Sequence, residues 1–256
     1  MKSIPPALCP GSTIALISPS ARLNDLLPHR ITRATDFLSS IGYKVEVIYT
    51  TLPPDATLEQ SALHRAAEIH KAFTDPGISA IICAIGGSTC NEILHYLDYE
   101  LIEAHPKIFC GFSDITILHY ALYKNANLRT FYRPTAITQW AEFPSPLSFT
   151  TEHFIKAVTS THSIGQFPSS KEWTDETLDW FTKADLSRAR SMKQNPGWRW
   201  LRQGRATGVM FGGCLPSILR LSGTKHDLLS YKDVILVLEL PEGEDYKPTP
   251  LQRACS

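Results

Sequence analysis

The residues best suited to covalent chemistry lie around one serine, Ser113. A short apolar run, Ile108–Cys110, leads into Gly111-Phe112-Ser113-Asp114, and apolar residues at helical spacing follow at once. The first run predicts a buried parallel strand and the second predicts a helix. Ser113 is therefore expected in a tight strand-to-helix turn, where its hydroxyl stands clear of the sheet and the first amides of the helix face whatever it attacks. The alternative is that Ser113 only caps the helix.

A serine nucleophile needs N–H donors for the oxyanion, a base, and an acid that orients the base. The amide of Asp114 is one natural donor. Gly86 and Gly87, at the end of the preceding predicted strand, are the expected source of the second, because glycine lets a backbone N–H approach a substrate closely. Two alternatives stay open for these glycines: a tight turn before a helix capped by Ser88, or a phosphate-binding loop. For the second, neither G-x-G-x-x-G nor the Walker pattern is present.

Glu239 is the candidate for the orienting acid. It lies at the end of the apolar run Val234–Leu240, which predicts a buried strand. Burying a carboxylate there costs free energy unless the carboxylate is paired. The alternative is a strand-end carboxylate exposed to water. His119, six positions after Ser113 on the predicted helix, projects away from it and is a poor general base on geometry.

The elements that must position these residues alternate between strand and helix. The predicted strands are Thr13–Pro19, Tyr43–Tyr49, Ile78–Ile85, Ile108–Cys110 and Leu128–Tyr132, with helical patterns between them. This alternation predicts an α/β fold in which a parallel sheet carries helices on both faces, in flavodoxin-like layers. Ligand sites in such sheets lie at the carboxyl ends of the strands, where Gly86-Gly87 and Ser113 both fall.

Composition and residue pattern divide the chain into three parts. Residues 1–160 form the predicted N-terminal α/β domain that carries the serine. Residues 161–205 are polar, hold four of the five tryptophans, and predict a long connection packed on a surface with some aromatic rings facing a cleft. Residues 206–256 predict an incomplete, β-rich C-terminal domain in which 208–221 form a strand, a glycine turn and a helix.

Composition excludes several functional classes. Lys+Arg 25 balance Asp+Glu 25, so nothing indicates binding to nucleic acid or to an anionic membrane, and no apolar stretch is long enough to span a bilayer. The six cysteines include no Cys-x-x-Cys pair. They predict reduced, mostly buried thiols in a cytoplasmic protein without a zinc site.

Several segments together resemble a known family. In chain order they are PPALCPGSTIALISPSA, ALHRAAEIHKAFTDPGISAIICAIGG, NEILHYLD, PKIFCGFSDIT, FYRPTA, NPGWRWL, GVMFGGCLPSILRLSGT and VILVLEL. This order, and above all the pairing of a Gly-Gly strand end with GFSDIT, resembles the LD-carboxypeptidase superfamily of serine peptidases, and particularly its microcin-immunity branch.

The resemblance implies a role for each matching residue. Ser113 would be the nucleophile, the amides of Gly87 and Asp114 would form the oxyanion hole, and Glu239 would orient a catalytic histidine. The family needs no metal or cofactor and is usually a homodimer. Its members cut either the L,D amide bond of murein tetrapeptides or the amide that joins a peptidyl or aminoacyl part to a nucleotide-like group.

The long Trp-bearing connection is more similar to the microcin-immunity branch. By that similarity Gly86, Trp173 and Trp180 are candidate substrate-binding residues, with either ring stacking on a substrate base, while ordinary packing is the alternative for both.

The sequence also departs from the family pattern. The family's histidine lies beyond the glutamate strand, whereas none of the nine histidines here follows Glu239. The resemblance therefore predicts a chain truncated at its C-terminus, with apolar surface exposed around Val234–Leu240. An inactive homologue that binds ligands without turnover is the competing hypothesis. Arg133 stands where the family more often has glycine, and we expect it to stay clear of the chemistry.

Overall fold

The computed structural model describes residues 2–228 and 230–241. The longer elements are, in order, β1 (Thr13–Ile17), α1 (Pro28–Ser40), β2 (Lys44–Ile48), α2 (Leu58–Thr74), β3 (Ile78–Cys83), α3 (Tyr99–Ala104), β4 (Ile108–Gly111), α4 (Thr116–Asn125), β5 (Phe131–Tyr132), α5 (Ser148–Val158), β6 (Glu172–Trp173), β7 (Lys193–Gln194), β8 (Val209–Cys214), α6 (Leu215–Leu221) and β9 (Val234–Glu239). Residues 242–256 of the predicted C-terminal domain lie outside the described residues.

The central sheet has the order β2-β1-β3-β4-β5, and all four neighbouring pairs are parallel. This is the flavodoxin-like order, and it confirms the predicted α/β class. The order reverses between β1 and β3, so their carboxyl ends diverge into a crevice beside the end of β4. The loops that follow these three strands therefore meet at one edge of the sheet.

Helices cover both faces of this sheet. Along β1, Ile14 and Leu16 face a core built with α1 and α5, while Ala15 and Ile17 face a second core built with α2, α3 and α4. The near-continuous apolar composition of β1 and β3 follows from this double coverage, because both sets of alternating side chains are buried.

Helix α2 shows how local sequence defines an element. Thr57 is its N-cap: its hydroxyl accepts a hydrogen bond from the Gln60 N–H (3.1 Å), and the Gln60 side chain accepts one from the Thr57 N–H (2.8 Å). This capping box satisfies two N–H groups that a helix start would otherwise leave unpaired.

Strand β9 departs from its predicted burial. It forms where the apolar run predicted, but Leu236 and Leu238 are 47% and 51% exposed. The prediction of a buried strand was wrong because β9 pairs only with β8, and no further layer covers it within the described residues. The apolar surface that the resemblance led us to expect here is present.

Three smaller predictions also need correction. Gly212 and Gly213 lie inside β8 and not in a turn. The main chain of β9 passes so close to Gly212 that no side chain would fit, which explains a glycine within this strand. Ordered β5 contains only Phe131 and Tyr132 of the predicted strand. A 3-10 turn, Cys90–Ile93, replaces the helix expected after the glycine pair.

A buried carboxylate of the Trp-bearing connection contacts the α/β domain. Asp185 is 4% exposed and accepts hydrogen bonds from Arg30 and Arg33 of α1, the second at 3.0 Å. Arg30 in turn lies 4.3 Å from the ring of Trp180. The predicted surface connection is thus present between α5 and β8, and one of its tryptophans is held against α1.

Two further sequence expectations can be compared with the described residues. None of the helices they form has the length and apolarity that crossing a bilayer requires. Cys83, Cys90, Cys110 and Cys214 are buried free thiols, whereas Cys9 is exposed. The prediction that most cysteines are buried is confirmed over this part of the chain.

Candidate active site

Ser113 occupies the tight strand-to-helix turn that the sequence predicted. It lies two residues beyond the end of β4, starts a single 3-10 turn that leads into α4, and has a φ of +62°. A non-glycine residue in this left-handed region costs about 1–3 kcal/mol and persists only where the surrounding structure holds it. The turn places the hydroxyl at the crevice edge of the sheet, where Ser113 lines a cavity of about 350 Å³.

The glycine pair faces this serine directly. A Cβ added to Gly86 would lie 2.8 Å from Ser113 Cβ and 3.1 Å from its Oγ, so only glycine leaves room for the hydroxyl. Gly87 has a φ of +150°, and its Cα packs on Ser20 and Ala21, where an added Cβ would lie 2.5 Å from Ser20 Oγ. The structure therefore brings Gly86, Gly87 and Ser113 together, as predicted, and both glycines line the cavity.

Asp114 contributes more than the backbone amide considered from sequence. Its N–H belongs to the first turn after Ser113, where backbone N–H groups lack an intrahelical acceptor. Its carboxylate is 1% exposed and accepts hydrogen bonds from Ser20 Oγ (2.6 Å), Cys90 N (2.9 Å) and Arg220 Nη1 (3.1 Å). Sequence reasoning missed Ser20 and Arg220, because no local pattern pairs residues so far apart in the chain.

Glu239 also reaches the cavity, at the end of β9, and its side chain is 22% exposed. Its two carboxylate oxygens accept hydrogen bonds from the Tyr132 hydroxyl and from the Arg133 guanidinium. Tyr132 Oη in turn accepts a hydrogen bond from the Ser113 N–H at 3.1 Å. Burial, and after it the hydrogen bond to Glu239, raises the pKa of Tyr132 above its usual range, so the phenol stays protonated. Ser113 and Glu239 are thus linked through one tyrosine that sequence reasoning did not single out.

Arg133 was expected to stay clear of the proposed chemistry, and that expectation was wrong. Its φ of +68° lies in the region that favours glycine, its guanidinium lies 4.1 Å from the ring centre of Phe112, and it pairs with Glu239. The sequence marked the position as unusual. The contact itself depends on β9, which brings Glu239 to the end of β5.

The structure supports the prediction that His119 is not the base for Ser113. Its Nε2 lies 2.9 Å from the Gly111 carbonyl oxygen and its Nδ1 lies 2.7 Å from Thr130 Oγ1, so both ring nitrogens are occupied. Burial lowers the pKa of His119 to about 4. Within residues 2–228 and 230–241, no histidine lines the cavity beside Ser113.

The two candidate tryptophans line a larger part of the same cleft. A second cavity of about 720 Å³ adjoins the first and shares Phe112, Thr138 and Trp180 with it. Trp173 lines only this second cavity, whereas Trp180 also lines the cavity beside Ser113. Neither cavity presents a metal cluster: no group of three or more His, Cys, Asp or Glu side chains suited to an ion occurs in the part of the chain that the structure describes.

A doubly wound parallel sheet, in which a strained serine turn faces the loop that carries Gly86 and Gly87 (the glycine loop), defines an α/β protein with a cleft at the carboxyl edge of its sheet. Similarity to known proteins makes the class specific. Residues 14–133 match the LD-carboxypeptidase N-terminal domain. The crystal structure of an MccF-like protein from Bacillus anthracis str. Ames is similar with a TM-score of 0.81 at 32% identity, covering 93% of this chain and 70% of that one. The chain belongs to the LD-carboxypeptidase family.

Two further matches, one to a sequence and one to a structure, come from the microcin-immunity side of this family. The Escherichia coli microcin C7 self-immunity protein MccF is 32% identical over 219 residues, which are 85% of this chain and 63% of that protein. The structure of MccF in complex with glutamyl sulfamoyl guanosine has a TM-score of 0.81 at 29% identity, covering 92% of this chain and 70% of that one. The chain thus spans between 63% and 70% of the length of these relatives.

Proposed function

We propose that this protein is a serine peptidase or amidase in which Ser113 attacks the carbonyl carbon of an amide. The observation that carries the proposal is the strained Ser113 turn, whose side chain faces Gly86 so closely that a methyl group there would meet it at 2.8 Å. A strained conformation at a crevice edge, kept free of side chains by glycine, is the geometry of an exposed nucleophile.

The chemistry proceeds in two halves. Ser113 Oγ bonds to the carbonyl carbon while its proton passes to a base, and the oxygen that becomes negative accepts hydrogen bonds from the N–H groups of Gly87 and Asp114. Collapse of this intermediate breaks the C–N bond, and the departing amine takes the proton from the base. Water then hydrolyses the acyl-serine by the same steps, which releases the acid and restores the hydroxyl. No step requires a metal or a cofactor.

Glu239 is proposed to orient the imidazolium that forms when a histidine accepts the serine proton. Its position on the cavity wall beside Ser113, together with its link to the Ser113 N–H through Tyr132, supports this role. The histidine itself is not among the residues described at the cavity. Arg133 donates to one of the two Glu239 oxygens, so an imidazole would share the carboxylate with this guanidinium.

The proposed substrate joins a peptidyl or aminoacyl part to a nucleotide-like group through an amide-type bond. The neighbouring MccF structures contain glutamyl sulfamoyl guanosine and aspartyl sulfamoyl adenosine, in which an aminoacyl group is attached to a nucleoside. In this chain, Trp180 and Trp173 supply aromatic surface where a base could stack, while Gly86 leaves space at the scissile end. A small peptide is the second substrate class that the family suggests.

One observation favours a second candidate, a ligand-binding protein without turnover. Within the described residues Glu239 pairs with Tyr132 and Arg133, and no histidine there lines the cavity. Removing the base from a serine triad leaves only the rate enhancement that the oxyanion hole and substrate binding supply.

The first experiment is labelling of the protein with a serine-reactive fluorophosphonate, read by peptide mass spectrometry. The proposal predicts labelling at Ser113 that Ser113→Ala abolishes and that Ser40→Ala, at an exposed helix end, leaves unchanged. A folded protein that binds aminoacyl-sulfamoyl adenosine in calorimetry but shows no label would establish the binding role. Release of the free amino acid from that compound would instead establish the amidase.

Three further expectations stay predictions: a division of the chain at residues 160 and 205, a homodimer, and a cytoplasmic location. Light scattering on the purified protein would test the homodimer directly.

A further inference from the structure

A buried carboxylate lies directly behind the proposed nucleophile and has no role in the mechanism above. Asp114 is 1% exposed, and its side chain is not among those that line the cavity. A buried charge of this kind is tolerated only where donors surround it. Asp114 has three donors, and each comes from a different segment: the hydroxyl of Ser20, the N–H of Cys90 and the guanidinium of Arg220.

These three segments enclose the glycine loop. Ser20 lies in the loop after β1, Cys90 starts the 3-10 turn after the glycines, and Arg220 lies on α6. Because all three donate to the carboxylate next to Ser113, the position of each is tied to that of the nucleophile.

The glycine loop is anchored to the same network at both ends. At its start, the Ala21 N–H donates to the Gly86 carbonyl oxygen at 3.0 Å. At its end, Arg220 Nη1 donates to the Ser88 carbonyl oxygen at 3.3 Å. Between them Gly87 packs against Ser20, whose hydroxyl donates to Asp114. The direction of the Gly87 N–H is therefore set by groups that the Asp114 carboxylate holds in place.

We propose that the Asp114 carboxylate is a positioning residue that fixes the Gly87 and Asp114 N–H groups relative to Ser113, acting through Ser20 and Arg220. The inference rests on the proposed function, since those N–H groups matter most if an oxyanion forms. Donors in such a hole must lie about 2.7–3.1 Å from the oxyanion, and loss of one costs roughly 10²–10³ in rate. A carboxylate that organises both donors accordingly affects the chemical step more than ligand affinity.

The test uses Asp114→Asn, Ser20→Ala and Arg220→Ala in the full chain. Saturation kinetics of fluorophosphonate labelling separate the affinity of the reagent (KI) from the maximal rate of reaction (kinact). We expect kinact to fall about 10- to 100-fold in Asp114→Asn and by a smaller factor in the other two, with KI nearly unchanged. Arg220→Lys, which keeps a cation beside the carboxylate, recovers part of the rate lost in Arg220→Ala.

Two control variants each change a charged side chain that lies outside the Asp114 network. Asp98→Asn alters the carboxylate that caps α3, and Lys71→Ala removes an exposed ion pair with Glu46. Both are expected to label at the wild-type rate. If Asp114→Asn fails to fold, Ser20→Ala and Arg220→Ala carry the test, with Arg220→Lys as the rescue.

Hydrogen exchange separates failure of this inference from failure of the proposed function. Amides of residues 84–94 should exchange faster in Asp114→Asn and Ser20→Ala than in the wild type, whether or not Ser113 reacts. If the wild type does not label, the proposed function is contradicted. The hydrogen-exchange rates then show whether the Asp114 carboxylate still positions the loop. Unchanged exchange in both variants would overturn the inference. If the wild type labels, a kinact in Asp114→Asn equal to that of the wild type would also overturn it.

Discussion

The sharpest consequence of the site geometry concerns a single methyl group, introduced by Gly86→Ala. The added Cβ would lie 2.8 Å from Ser113 Cβ and 3.2 Å from the Phe112 carbonyl oxygen, whereas ordinary contacts of this kind begin at 3.4 Å. The φ of Gly86 lies outside the left-handed region, so the substitution adds a steric overlap without adding backbone strain.

The size of the effect follows from this overlap. Gly86 and Ser113 must separate by about 0.6 Å to restore contact at 3.4 Å. Misplacement of a reacting group by about 1 Å costs roughly 100-fold in rate, so we expect Ser113 to label about 10- to 100-fold more slowly. Overpacking costs typically about 1–3 kcal/mol of stability, so the variant is expected to stay folded.

The assay compares fluorophosphonate labelling rates with urea unfolding curves for the wild type, Gly86→Ala and Gly204→Ala. Gly204 is the matched control because an added Cβ there meets nothing within 4 Å and its φ is ordinary. The reasoning predicts a loss of labelling confined to Gly86→Ala. A Gly86→Ala variant that labels at the wild-type rate would refute the close approach of the loop to the nucleophile.

Three further predictions address stability and the connection. Thr57→Ala removes the capping box of α2 and should lower the free energy of unfolding by about 1 kcal/mol in urea denaturation; an unchanged midpoint would contradict the cap. Because burial lowers the pKa of His119 to about 4, the unfolded state binds a proton that the folded state does not as pH falls from 6.5 toward 4. Stability should therefore drop by about 3 kcal/mol over that window, and His119→Gln should flatten the pH dependence; a slope that persists in the variant would refute this cause. Asp185→Asn leaves Arg30 without its buried partner, so limited proteolysis within residues 172–194 should quicken, and unchanged cleavage would show that the carboxylate does not hold the connection.

The arrangement around Glu239 changes how its role must be tested. Arg133 occupies one carboxylate oxygen from a backbone conformation that favours glycine, so Arg133→Gly should remove both the ion pair and the strain. A chain that uses Glu239 to hold an imidazole should then label Ser113 faster when imidazole is added to the buffer. The same addition should leave Glu239→Gln unaffected.

Much of the fold followed from local patterns in the sequence. Apolar periodicity predicted strands β1 to β4 and the alternation of strand and helix around them, and the short segment between Ile108 and Thr116 predicted a turn at Ser113. Such features depend on residues within a few positions of each other, where side-chain size, glycine and capping groups act directly on the backbone. The capping box at Thr57 is local in the same way, because its two partners lie three positions apart.

The remaining features needed the tertiary structure. A run of apolar residues indicates a strand, but whether another layer covers it depends on distant segments, and β9 is exposed for that reason. The Tyr132–Glu239 and Arg220–Asp114 contacts join residues more than 100 positions apart. The sequence by itself determined which residue stands in the strained turn. Only folding decided which charges and hydroxyls surround it, because the crevice is built from loops that come together when the sheet forms.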